Sequence, residues 1–166
     1  MNKSLKDRLV QIKILDKDDL LIVDYSLFAK ETEILDYLAS LMIEKSVIIQ
    51  LKTKGVAPKE IIRVGKKIKN LCAQFDSIFI LEGRADIALE LEADGIFLDK
   101  DDIPVSLANE ILGENIILGG SFEVIDCENN LFDYFCTEEK ISSDIKKPVF
   151  IYKSTENCFV KLYCKL

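Results

Sequence analysis

The sequence predicts an α/β fold: a shortened or incomplete (β/α) barrel of parallel strands that ends in an irregular C-terminal strand pair. Three observations carry that reading. Between residues 20 and 121, short apolar or β-branched runs alternate with segments whose apolar residues recur at helical spacing, through four successive units. Each run closes on polar or charged residues, which is how β/α proteins place reactive groups at strand carboxyl ends. Beyond residue 121 the rhythm fails, and the last two apolar runs are joined by too few residues for a crossover helix.

In chain order, Leu5, Leu9 and Ile12 fall at helical spacing and suggest an opening helix. Residues 20–23 form a compact apolar strand ending in Asp24 and Tyr25. A helix follows over 31–44, with Ile34, Leu35, Leu38, Leu41 and Met42 on one side. Residues 47–51 are a β-branched run, hence a second strand, continued by the polar loop Lys52, Thr53, Lys54 and Gly55. Pro58 suits the first turn of the next helix, where its missing N–H would be unpaired anyway. That helix carries Ile61, Ile62, Ile68, Leu71, Cys72 and Phe75 towards the core.

Residues 78–81 are a third strand, 85–91 a short helix and 95–98 a fourth strand. Pro104 opens a helix with Leu107, Ile111 and Leu112 expected inward and Gly113 as its cap. Residues 116–118 form strand five, ending at Gly119, Gly120 and Ser121. Residues 132–135 supply a sixth strand. Residues 149–152 and 158–163 form the last pair, expected to be antiparallel.

The 166 residues are read as one domain, 1–166, with 49% apolar content. A closed eight-stranded barrel already needs about 200 residues at the low end, so a complete regular one is not expected. Net charge is -7, which argues against a nucleic-acid backbone or an anionic membrane as partner. Arg63, Lys66, Lys67 and Lys69 form the densest basic patch, either a solvated helix face or an anion contact. Five cysteines (Cys72, Cys127, Cys136, Cys158 and Cys164) form no CxxC pair, and there is no histidine, so a structural zinc site is not expected. Cys72 belongs on the apolar side of its helix. No leader-like segment and no run of about 18 apolar residues is present, and reduced thiols fit a cytoplasmic location.

The chemistry concentrates in Ile78 to Asp102. There Glu82-Gly83-Arg84 ends the third strand, with Asp86, Ala88 and Leu89 in the helix after it. Ala93-Asp94-Gly95-Ile96-Phe97-Leu98-Asp99-Lys100-Asp101-Asp102-Ile103-Pro104 follows. With Gln50-Leu51-Lys52, Lys54 and Gly119-Gly120-Ser121, this order and spacing resemble the thiamine-phosphate synthase and TenI family. The likeness is strongest over residues 20–121 and implies a TIM-barrel-like fold. It also implies a role in thiamine metabolism: a Mg²⁺-dependent transferase joining hydroxymethylpyrimidine diphosphate to thiazole phosphate, with loss of diphosphate. By position, Lys52 and Arg84 would be catalytic, and Gln50, Lys52, Lys54, Arg84 and Ser121 would bind substrate. Asp102, with Glu82, would hold Mg²⁺.

Several positions depart from the family pattern. Gly83 stands where the family carries a metal-binding aspartate, Glu82 where it carries an asparagine, Lys100 where it carries a glutamine and Phe97 where it carries a histidine. The Gly-Gly that cradles a phosphate after the seventh strand is replaced by Lys153-Ser154. Plainer roles stand beside the functional ones. Asp99, Asp101 and Asp102 can cap the helix begun by Pro104, Arg84 can pair with Glu82 or Asp102, Lys52 and Lys54 can be solvated loop residues, and Ser121 can cap a helix. Three readings stay open: a synthase-like protein of weak or lost activity that retains a pyrimidine or anion pocket, a divergent Mg²⁺-dependent synthase, and a non-catalytic oligomer-forming protein whose open strand edges need covering.

Overall fold

A computed structural model describes residues 17–27, 30–124, 131–139, 147–157 and 160–166. The proposed opening helix, Cys127 and Cys158 lie outside these residues. Strands β1 (Asp19–Asp24), β2 (Ile48–Lys52), β3 (Ile78–Glu82), β4 (Gly95–Leu98), β5 (Ile117–Ser121) and β6 (Tyr134–Thr137) run parallel, followed by β7 (Val149–Asn157) and β8 (Val160–Lys165). Helices α1 (Glu31–Glu44), α2 (Pro58–Gln74), α3 (Ala85–Glu90) and α4 (Val105–Leu112) fill the first four crossovers. The sheet closes. β8 pairs antiparallel with both β7 and β1, for example Tyr163 against Leu20 and Tyr152, so all eight strands form one barrel.

Among the described residues the barrel has its eight strands but helices in only the first four crossovers. Reversing the last strand removes the need for a final crossover. The irregular antiparallel ending is as expected, and register shifts between Tyr152 and Ser154 and between Thr155 and Asn157 bend β7. The premise of open strand edges is corrected by closure, since a barrel leaves none.

The core has two layers. Leu20, Ile48, Ile80, Phe97, Ile117, Tyr134 and Phe150 fill the barrel interior, whereas Leu21, Val23, Ile49 and Phe79 on the opposite strand face pack against Ile34, Leu38, Ile61 and Ile68 of the helices. Gly119 makes room for the largest interior side chain. A Cβ there would sit 2.2 Å from Tyr134 Cζ, and the Tyr134 ring stands edge-on to Phe150 with centroids 5.8 Å apart.

Three polar residues just ahead of a strand accept from a backbone N–H at or next to the start of the strand before it. Ser77 Oγ accepts from the backbone of Val47, Asp94 Oδ2 from Phe79 and Asp133 Oδ2 from Leu118. The last of these moves the sixth strand from 132–135 to Tyr134–Thr137. Asp133 is used as this tie, and Phe132 turns outward to cover Gly120. In α4 the inward face is Val105, Ala108 and half-buried Leu112. Leu107 and Ile111, expected inward, are each 42% exposed, because spacings of three and four from Val105 exclude them from that face. The basic patch is neutralised by its own neighbours: Arg63 pairs with Glu31 and Glu60, Lys67 with Glu31 and Lys66 with Glu90. Among the described residues no helix is long and apolar enough to cross a membrane.

Candidate functional site

Strand alternation builds the site. Side chains two apart share a face, so the interior residues Leu20 and Ile22 place Asp24 inward at the end of β1. By the same parity Ile48 and Gln50 lead to Lys52, Ile78 and Ile80 to Glu82, and Phe97 to Asp99. Gly119 leads to Ser121, and Tyr134 and Cys136 to Glu138. These end positions surround a cavity of about 620 Å³, which Asp102, Glu139 and Lys161 join and Phe97, Phe122 and Tyr163 wall on their apolar sides. Its position at the strand carboxyl ends is the usual one for a β/α barrel.

Glu82 ends β3 on the cavity wall. Gln50, fully buried, donates from Nε2 to Glu82 Oε1 (2.7 Å), and its own Oε1 accepts from the Tyr134 hydroxyl (3.1 Å). The Thr53 hydroxyl donates to the Glu82 carbonyl at 2.9 Å. Glu82 touches the cavity while protein encloses most of it, and burial pushes its carboxyl up to about 7. Gln50 and Lys52 oppose that rise; the charges of Asp102 and Asp99 add to it.

On the facing loop, the backbone of Asp99 donates to Asp102 Oδ2 (2.8 Å), and Asp99 Oδ1 accepts from Ser121 Oγ (2.7 Å) and from the backbone of Lys100 (2.8 Å). Gly83 adopts φ +71°, and a Cβ there would lie 2.8 Å from Asp102 Oδ1. Asp102 thus occupies the space beside a residue that has no side chain. Glu138 accepts from Lys161 Nζ and from the Tyr163 hydroxyl, each at 3.2 Å, and the lysine holds its carboxyl below the usual range. Lys52 Nζ lies 3.6 Å from Asp24 Oδ2.

Of the residues singled out from sequence, Lys52, Glu82, Asp102 and Ser121 meet at the cavity, with Gln50 directly behind Glu82. Lys54 sits exposed in the turn after β2, away from the cavity lining. Arg84 also lies outside the lining and forms a two-pronged pair with Asp86 (2.9 and 2.7 Å) rather than with Glu82 or Asp102. Ser121 ends a strand and braces Asp99 instead of capping a helix. Asp24, Glu138 and Lys161 were not among the predicted site residues, and Asp99 entered only within the Asp99, Asp101 and Asp102 cluster, read as a helix cap or as a Mg²⁺ or diphosphate-linked site; the parity of their strands with the apolar interior marks most of them.

Among the described residues the lining holds seven acids (Asp24, Glu82, Asp99, Asp102, Glu123, Glu138 and Glu139) against two lysines, so this lining is strongly acidic. Carboxylates are the groups present to hold a cation. Among the described residues, however, no three of the cysteine, aspartate and glutamate side chains are gathered as a metal site.

A closed β/α barrel with its polar groups at the strand carboxyl ends is the class that this geometry defines. The family profile described as thiamine monophosphate synthase matches residues 20–147, and the chain belongs to that family. A thiamine-phosphate synthase of Haloarcula marismortui is 33% identical over 114 residues, covering 68% of this chain and 53% of the relative. One from Pyrococcus abyssi is 33% identical, covering 63% and 52%, and one from Chlorobium luteolum is 37% identical, covering 52% and 43%. The chain spans about half the length of these curated relatives. The solved thiamine phosphate pyrophosphorylase of Pyrococcus furiosus superposes with a TM-score of 0.68 at 23% identity, covering 84% of this chain and 76% of that one, which shows the shared fold.

Proposed function

We propose that this chain is a thiamine-phosphate-synthase-like barrel whose ordinary synthase activity is weak or lost and whose mouth is kept as a pocket for a small ligand. The observation that carries the reading is the charge of the mouth, seven acids to two lysines among the described residues, each of those lysines already beside a carboxylate of its own. A diphosphate leaving group gathers negative charge as its bond breaks and needs cations or aligned N–H donors around it. Here Arg84, matched by resemblance to a catalytic role, is paired with Asp86 outside the cavity.

The residues do not fit a Mg²⁺ ion of the kind the family uses. Gly83 contributes no carboxylate, Asp102 is engaged by the Asp99 N–H, and Glu82 at about 7 is partly protonated near neutrality. Mg²⁺ requires near-octahedral oxygen ligation, so no step is assigned to it.

Incubating the protein with hydroxymethylpyrimidine diphosphate, thiazole phosphate and Mg²⁺, then quantifying thiamine phosphate, tests the reading. Little or no product is expected from folded protein. Rapid formation that disappears in Asp102→Ala would overturn it in favour of a rebuilt synthase site.

A further inference from the structure

We propose that Glu138, Lys161 and Tyr163 form a side-chain strap that closes one side of the barrel mouth and opens to expose the cavity floor at Cys136. The inference goes beyond the reading of lost synthase activity and stands whether or not the chain turns over substrate. Strands β6 and β8 do not pair with each other; β7 lies between them and pairs with both. Two strand spacings therefore separate them, about 10 Å. Glu138 crosses that gap: its Oε1 accepts from Lys161 Nζ and from the Tyr163 hydroxyl, each at 3.2 Å. All three residues line the cavity.

The strand being crossed is covered as well. Lys161 Nζ stands 5.7 Å from the Tyr152 ring centroid, so the amine that holds Glu138 also caps an aromatic of β7. The Tyr163 ring meets Tyr152 edge-on, with centroids 5.6 Å apart. Glu138 lies two residues beyond Cys136 on the same inward parity, so the strap sits one inward position nearer the mouth than the thiol. Cys136 lines the cavity yet is only 6% exposed, packed in the interior cluster that includes Tyr163 and Phe150. The Thr137 hydroxyl donates to the Glu139 carbonyl (3.3 Å) and accepts from the Glu139 N–H (3.1 Å), which holds the backbone on either side of Glu138.

The same geometry lets the strap open. The side chains of Glu138 and Lys161 are at least half exposed, and an ion pair so placed is weak because water competes for both partners. Tyr163 is buried and acts as the fixed post to which Glu138 returns. Breaking both bonds lets the Glu138 carboxylate turn into solvent without disturbing a core contact. Two modest hydrogen bonds favour the closed arrangement about tenfold, enough to shield the floor and little enough to open often.

Iodoacetamide labelling of Cys136 in the native full chain, read by mass spectrometric mapping, tests this. Lys161→Met removes the ammonium from an exposed side chain, and Tyr163→Phe removes the hydroxyl while keeping the ring, so both leave the core packed. Each should speed Cys136 labelling about threefold and the double substitution about tenfold, with Cys72 still protected. The direction is diagnostic for Lys161→Met. Losing a cation near a thiol disfavours the reactive thiolate, so electrostatics alone would slow the reaction, whereas access speeds it. Lys66→Met, at an exposed lysine beside Glu90 on the helix layer, should change nothing. Labelling of Cys136 that stays flat or slows in the double variant, rises equally at Cys72, or rises equally in Lys66→Met overturns the strap.

Discussion

Replacing Glu82 with glutamine removes one ionisation and leaves the side chain nearly the same shape. The carboxyl stands at about 7 instead of the usual 4.5, because burial disfavours its charge. A folded-state value above the unfolded one means that folding favours the protonated form. The stability this group supplies is full below about pH 4.5 and is lost as pH rises through 7. The displacement corresponds to about 3 kcal/mol once the group is ionised at pH 8. Glutamine cannot ionise, and its carbonyl still accepts the hydrogen bond from Gln50. The stability of Glu82→Gln relative to the unaltered protein should therefore grow by about 2–3 kcal/mol between pH 5 and pH 8. Urea unfolding of both proteins at the two pH values measures that growth, and groups that titrate alike in both cancel in the difference. A gap that stays flat across this range refutes the reasoning, because it means that Glu82 carries its charge without cost.

Gly119→Ala should destabilise the protein by about 1–3 kcal/mol in the same urea assay, because its Cβ lands on a Tyr134 ring already packed against Phe97 and Phe150. An unchanged midpoint would show that the barrel interior yields more easily than its packing implies. Burial pushes the thiols of Cys72 and Cys136 above their ordinary range, so both should resist iodoacetamide at pH 7 until denaturant is added. Mass spectrometric mapping checks this, and fast labelling of Cys136 in native protein would contradict its burial at the floor of the cavity.

The parallel half of the barrel was legible because local chemistry specifies it. The β-branched run ahead of Lys52 has no helical period, and Ile34, Leu38 and Met42 have no strand period. Closure was not legible, because it depends on β1 meeting β8. Leu20 faces Tyr163 across nearly the whole length of the chain, and no local pattern encodes that meeting. The sixth strand shows the limit at short range. Phe132 and Phe135 read alike in an apolar run, yet Asp133 is bound to Leu118 through both its side chain and its N–H, and the strand begins after it.

The site was legible wherever resemblance and strand parity coincided, at Lys52, Glu82 and Ser121. Resemblance alone also pointed to Lys54 and Arg84, which the loops carry away from the cavity. Parity alone reaches Asp24, Asp99 and Glu138, each two residues beyond an inward-facing neighbour. Parallel strands in register bring these last inward positions to one rim, so the charges that terminate separate strands act on one volume. Read singly, each acid is an ordinary loop residue. Summed around the rim, the described acids set the sign of the potential there, and that sign opposes a diphosphate. At Glu82 the rim is tied to the core, because Gln50 and Tyr134 hold its carboxyl in place from within the barrel.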